Sequence, residues 1–208
     1  MTRVIMARHG ETEWNRTRRI QGCGSDTELN ETGIHHASCL GLRLKSAKLG
    51  AIYSSPLKRA RDTARAIADY HGLPLVIEPN LKEMDIGELE GTLPSQTVGF
   101  RERFLNALIQ GENMPGGESL PDVQERAWST IQRLAEKHTG EDIVTVSHYF
   151  VIQTTVCSVL GLPVSQITRL KLDLASITTI TFDERGPRLS LFNDTCHLTP
   201  EQAQAQLY

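Results

Sequence analysis

The chain has 208 residues, 39% of them hydrophobic and 23% charged, the make-up of a globular protein large enough to bury a substantial core without staples. A formal net charge of -3 gives no basic surface for nucleic acid, and no apolar run approaches the roughly 18 residues of a membrane span. The four cysteines (Cys23, Cys39, Cys157, Cys196) lie far apart without a C-x-x-C pair, which speaks against structural zinc and against a disulfide framework. Arg3, a short apolar run and Arg8 do not make a signal peptide, so a cytoplasmic protein is expected.

In chain order, an apolar run at 4–7 reads as a buried strand and ends abruptly in Arg8-His9-Gly10. A helix-length segment follows, with apolar positions at Ala37, Leu40 and Leu44. The second strand is expected at 51–54. In "SSPLKRARDTARAIADYHG", Ser55 reads as an N-cap, Pro56 as the first helical residue and Gly72 as the residue just past the end. Ala60, Ala64, Ile67 and Ala68 mark that helix's buried face. A third strand at 75–77 leads into the loop "NLKEMDIGELEG". From about 91 to 118 the pattern loosens into a lid-like excursion over the sheet, with one helix near 100–109. Ser119 then caps a helix with Pro121 in its first turn and an apolar stripe of Val123, Ala127, Ile131 and Leu134. The fourth strand, 143–147, ends at His148. The last two runs, 177–182 and 189–192, alternate with period two around a Glu-Arg-Gly-Pro turn and read as an antiparallel hairpin.

This order predicts one α/β domain over 1–208: a three-layer sandwich with a mostly parallel central sheet, helices on both faces, and the C-terminal hairpin at one side. The hairpin's exposed edge leaves room for a homodimer. Of seven histidines, His35, His36, His71 and His138 sit in polar, helical contexts and are expected at the surface; His9, His148 and His197 are left.

Open parallel sheets bind ligands beyond the carboxyl ends of their strands. Arg8 and His9 follow the first strand there, Arg59 begins the helix after the second, Glu83 lies in the loop after the third, and His148 follows the fourth. Singly, each is an ordinary structural residue. Arg59 alone is out of place, because a helix N-terminus disfavours cations, and its presence there suggests an anion nearby. Four coincidences at one sheet edge predict a site. Two guanidiniums hold phosphoryl oxygens by forked hydrogen bonds. An imidazole held in one tautomer, with Gly10 letting the backbone close on it, is a nucleophile toward phosphorus. A carboxyl group kept protonated can donate to the leaving oxygen, and a second imidazole, if protonated, steadies the equatorial oxygens. No metal or other cofactor is required.

"RHGETEWN" resembles the signature of the histidine phosphatase superfamily, which includes the cofactor-dependent phosphoglycerate mutases. "RRIQG", "LNETG", "IYSSPLKRARDTA", "LKEMDIGELEG", "GGES" and "TVSH" are similar to its other landmarks, in the same order, and "FNDTCHL" resembles a segment of its bacterial phosphatases. The type it most resembles is the bacterial broad-specificity and α-ribazole-phosphate phosphatases. The resemblance implies that His9 accepts the phosphoryl group and that Arg8, Arg59 and His148 line the phosphate pocket. Asn15 and Gln21 would add neutral hydrogen bonds, and Glu83 would be the proton donor, with Asp85 in reserve. It assigns no chemical step to Glu118 or Ser119, a packing role to Trp14, and a structural role to His197. Two residues depart from the family pattern. Tyr149 and Phe150 stand where small residues are common after the second histidine; the bulky pair would narrow or reshape the substrate pocket's rim, or Tyr149 would pack away from it. His36 stands where glutamine is common.

Mutases and phosphatases of this family share the phosphohistidine step. The mutases carry a long basic and aromatic insertion after the acid, whereas here about two dozen residues separate Gly91 from Gly116, with few basic residues beyond Arg101 and Arg103. A short cover favours water as second acceptor. The expectation is therefore a metal-independent phosphatase of small phosphorylated metabolites. A bisphosphoglycerate-dependent mutase is the alternative, and a non-catalytic binder of phosphorylated ligands a more distant one.

Overall fold

The computed structural model describes residues 1–93, 95 and 99–199, the side chains of 100–103 excepted. Six strands form one sheet: β1 (Thr2–Arg8), β2 (Leu49–Ser54), β3 (Leu75–Ile77), β4 (Asp142–Ser147), β5 (Ile177–Asp183) and β6 (Gly186–Asp194). Their order is β3-β2-β4-β1-β5-β6. The first four run parallel; β5 pairs antiparallel with β1, and β6 antiparallel with β5. The hairpin turn is shorter than the sequence suggested. Strand β6 already begins at Gly186, whose φ of 89° suits a residue without a side chain, and Pro187 sits within this edge strand, where a missing N–H costs no ladder bond.

Helices cover both faces. Strand alternation sends Ile5 and Ala7 of β1 to one side, where they pack with Leu40 and Leu44 of α2 (Glu31–Leu44) and Ala60, Ala64 and Ile67 of α3 (Lys58–Ala68). Val4 and Met6 point to the other side, against Val123, Ala127, Ile131 and Leu134 of α5 (Leu120–Lys137) and Val151 and Ile152 of α6 (Tyr149–Leu160). The short helix α1 (Glu13–Arg16) follows β1. Helix α4 (Phe100–Gln110), the one expected within the excursion, packs Phe104, Ala107 and Leu108 on the α5–α6 side. Of that excursion, residues 94 and 96–98 and the side chains of Arg101 and Arg103 lie outside the described residues.

The start of α5 matches its reading: Ser119 accepts from the Asp122 N–H and Asp122 reaches back to the Ser119 N–H, a capping box. The start of α3 does not. Its N-cap is Leu57, and the N–H of Lys58 is satisfied by Asp26 from a distant loop at 2.6 Å. Pro56 precedes the helix, and the Ser55 hydroxyl accepts from the Leu57 N–H ahead of it. The expectation of a surface His36 is also overturned. It is 1% exposed, because α2 turns it inward toward the C-terminal segment that carries His197. His138 is largely covered too, with Nδ1 on Glu141 (2.7 Å) and Nε2 on the Tyr53 hydroxyl (2.9 Å). No helix among the described residues is long and apolar enough to cross a membrane.

Candidate active site

The carboxyl ends of β1 and β4 are laced together. The His9 N–H donates to Ser147 O (3.1 Å), and the Ser147 hydroxyl donates to Leu81 O (2.7 Å) in the turn leading to Glu83. His9, immediately past β1, is 3% exposed, and its Nδ1 lies 2.7 Å from Gly10 O. A carbonyl can only accept, so Nδ1 carries the proton and Nε2 keeps its lone pair. Gly10 can make this turn because no side chain is there: a Cβ would lie 2.4 Å from Gly33 O at the start of α2. The Gly10 N–H donates to the Thr63 hydroxyl (3.0 Å), which in turn donates to Arg59 O (2.7 Å). Thr63 therefore joins the His9 loop to the helix that carries Arg59, a link no spacing in the sequence announced.

The two arginines are buried, at 2% exposed for Arg8 and 0% for Arg59. Arg8 donates to Leu172 O (2.6 Å), and its guanidinium carbon stands 5.1 Å from the centre of the Tyr149 ring. Arg59 donates through its two Nη atoms to Gly22 O (2.9 Å) and Ser25 O (3.1 Å), which holds the loop before α2 against α3. Its Nε is buried without a hydrogen-bond partner among the described residues. Burial lowers the Arg59 pKa to about 10, so the group is still a cation at neutral pH.

His148, the N-cap position of α6, is fully buried, with its ring centre 5.1 Å from that of His9. Its Nε2 meets the Ser55 hydroxyl at 2.7 Å, and its Nδ1 is buried without a hydrogen-bond partner among the described residues. Glu83 is 3% exposed; its Oε1 accepts from the N–H of Met84 (2.9 Å) and of Phe150 (3.3 Å). An oxygen that accepts twice is poorly placed to hold a proton, so a proton on this carboxyl would sit on Oε2.

These groups also act on one another electrostatically. His9 is held well below the usual histidine range, first by burial, then by the charges of Arg59 and Arg8. His148 is shifted the same way by burial, Arg59, His9 and Arg8. Glu83 is pushed up by burial, against the pull of the Met84 N–H, Arg59, Arg8 and Arg126. Both histidines are thus neutral near pH 7, and the imidazolium form considered for His148 is not favoured.

Asn15 and Gln21 meet through Thr12, whose hydroxyl lies 3.0 Å from Asn15 Oδ1 and 3.1 Å from Gln21 Oε1. Gln21 also donates to the Thr27 hydroxyl. Asp85 serves its turn instead, accepting from the Gly87 N–H at 3.0 Å. Glu118 faces Arg126, which sequence reasoning passed over. Arg126 Nε and Nη2 donate to the two Glu118 oxygens (2.9 and 3.0 Å), and the same guanidinium reaches the carbonyls of Asn80, Lys82 and Glu83. Glu118 also accepts from the Asp85 N–H at 2.8 Å. This clamp fixes both sides of Glu83. The Trp14 indole packs against Gly91. His197 Nε2 donates to Ala175 O (2.9 Å), and the Ala175 N–H donates to His9 O (3.2 Å), which ties the C-terminal segment to the His9 loop. Among the described residues, no group of three or more His, Cys, Asp or Glu side chains is placed to hold a metal ion.

Fold and site together define an α/β protein with a buried cationic site at the carboxyl edge of its sheet. The chain belongs to the histidine phosphatase superfamily (branch 1), whose sequence model matches residues 4–195. It is 33% identical to a probable phosphoglycerate mutase GpmB of Yersinia pestis over 95% of both chains. A phosphoserine phosphatase mutant of Entamoeba histolytica, solved in complex with phosphoserine, superposes with a TM-score of 0.85 at 32% identity, covering 96% of this chain and 100% of that one. A mycobacterial glucosyl-3-phosphoglycerate phosphatase in complex with VO3 gives 0.83 at 29% identity, covering 93% and 99%.

Proposed function

We propose that the protein is a metal-independent phosphatase of small phosphomonoesters that works through a phosphohistidine on His9. The observation that carries this reading is the state of His9: a buried, neutral imidazole with Nδ1 tied to Gly10 O and the charges of Arg8 and Arg59 both acting on it. That is a nucleophile facing the two cations that would hold its target. Arg8, Arg59 and His148 bind the phosphoryl oxygens, with Asn15 and Gln21 at the edge and Tyr149 at the rim. His9 Nε2 attacks phosphorus as the ester P–O bond breaks. Glu83 Oε2 gives its proton to the departing alkoxide, so the alcohol leaves neutral. The Glu83 carboxylate then takes a proton from water as the hydroxyl attacks the phosphohistidine; the P–N bond breaks, orthophosphate is released, and both residues return to their starting states. A cytoplasmic setting agrees with four free thiols.

The likeness to GpmB gives the mutase reading its one specific support. Against it stands the short cover between Gly91 and Gly116, which favours water over a returning phosphoglycerate. The phosphoserine phosphatase and the glucosyl-3-phosphoglycerate phosphatase share the fold, with TM-scores of 0.85 and 0.83. The test is hydrolysis of an aryl phosphate with and without a chelator, together with acid-sensitive labelling by a radioactive phosphate donor. Chelator-resistant turnover and a phosphoramidate label, both lost in His9→Ala, support the proposal. Phosphoglycerate interconversion that outpaces phosphate release and needs a bisphosphate primer would replace it with the mutase.

A further inference from the structure

Ser55 was expected to cap α3, and the structure gives that task to Leu57 and Asp26. Its hydroxyl is instead fully buried against His148, with Oγ 2.7 Å from Nε2. The remaining contact of that hydroxyl decides its polarity. Ser55 Oγ lies 3.3 Å from the Leu57 nitrogen, whose N–H can only donate, so one lone pair is already taken. The hydroxyl proton needs an acceptor, and the His148 Nε2 lone pair is the one within reach among its bonded neighbours. In the reverse arrangement, Nε2–H donating to Ser55, the Ser55 proton would be buried without an acceptor, which costs the full desolvation of that group.

We infer that Ser55 is a positioning residue: by donating to His148 Nε2 it fixes the tautomer in which Nδ1 carries the proton, so that His148 meets a bound phosphoryl oxygen as a neutral N–H donor. This inference rests on the phosphatase reading for the identity of the anion. Two further observations agree with it. His148 Nδ1 is buried with no hydrogen-bond partner among the described residues, as a donor directed at a bound anion would be. The ring stands beside His9, whose attacking nitrogen is fixed by the opposite device, a carbonyl on Nδ1. The two imidazoles therefore carry protons on the same ring position for different ends: in His9 to bare Nε2 for attack, in His148 to arm Nδ1 for binding. A backbone carbonyl cannot serve His148, because it would force the proton onto the nitrogen it touches; a hydroxyl can donate. Ser55 lies at the end of β2 on a backbone fixed by its own N–H to Val146 O (3.0 Å), so the donor is held rigidly.

The experiment is long-range nitrogen–proton correlation NMR of the histidine rings at neutral pH, in the wild type, Ser55→Ala and Ser55→Thr, with inorganic phosphate binding measured on each by titration. The wild type is expected to show His148 as the Nδ1–H tautomer. Ser55→Ala is expected to move the proton toward Nε2 and to weaken phosphate binding by about tenfold or more, the loss of one hydrogen bond to a charged group. Ser55→Thr, which keeps the hydroxyl, is expected to restore both. A wild-type His148 with its proton on Nε2 would overturn the proposal without any variant being made. So would a Ser55→Ala protein in which tautomer and affinity do not change together. The wild-type spectrum needs no turnover, so a failure of the phosphatase reading, seen as no hydrolysis of any phosphomonoester, is distinguished from a failure of this one.

Discussion

Replacing His36 with glutamine should make the protein resist acid. His36 is 1% exposed on the inner face of α2, and neither ring nitrogen has a hydrogen-bond partner among the described residues. Burial, with smaller contributions from His35 and His197, lowers its pKa from 6.5 to about 4. A base whose folded pKa is depressed stabilises the fold fully above its unfolded value and loses that contribution as pH falls. The unfolded chain takes up the proton below pH 6.5, and the folded chain resists until about 4. At about pH 4.5 the difference spans two pH units at about 1.4 kcal/mol each, so His36 alone removes about 2.5 kcal/mol of stability relative to about pH 7.5. Other buried groups titrate over the same window, which makes the useful quantity a double difference. Urea unfolding of wild type and His36→Gln at both pH values cancels the groups they share. The acid-induced fall in midpoint is expected to be smaller in the variant by about 1 M urea. Equal falls in the two proteins would refute the reasoning, since they would mean that His36 is hydrated or paired in the folded state.

Glu83→Gln should slow alkyl phosphates by about a hundredfold or more and aryl phosphates far less, because phenolate leaves without a proton; equal losses would count against Glu83 as the acid. The pH profile of kcat/KM should fall on the acid side only well below the usual histidine range, since His9 is depressed, and on the basic side above the usual carboxylate range, since Glu83 is raised. A rate that stays flat well into alkaline pH would speak against the Glu83 assignment. Arg126→Met leaves Glu118 unpaired and three carbonyls without their donor, an expected loss of about 2 kcal/mol and a fall in melting temperature of roughly 4–8 °C. An unchanged melting temperature would show that the clamp is cosmetic.

The fold was legible because its signals are local and repeated. Each strand run is short, apolar and bounded by turn residues, and the helical stripes at Ala60, Ala64 and Ile67 or Val123, Ala127 and Ile131 name the faces that do pack on the sheet. The site's principal side chains were legible for a related reason. Each sits at the end of a strand or the start of the following helix, where alternating connectivity alone gathers them on one edge. What the sequence concealed depends on contacts between distant segments. Arg126 reads as any solvated helix arginine until the carbonyls of Asn80, Lys82 and Glu83 are seen to converge on it. His36 belongs to the buried face of α2, yet its neighbouring His35 is exposed, and a pair of adjacent histidines gives no sign of which one turns inward.

Ser55 shows where local reasoning reaches its limit. A serine before proline and a helical stripe is a sound cap by any propensity argument. The cap failed because the helix N-terminus found a better acceptor: a carboxylate, Asp26, brought in by the same loop that Arg59 holds through Gly22 and Ser25. Placing a negative side chain at the start of α3 offsets the misfit of a cation in its first turn. The Ser55 hydroxyl still accepts from the Leu57 N–H, and its proton is left for His148. Local structure and site chemistry thus share one hydroxyl, the lone pair serving the approach to α3 and the proton serving His148. The carboxylate that does meet the first N–H of α3 comes from some thirty residues earlier in the chain.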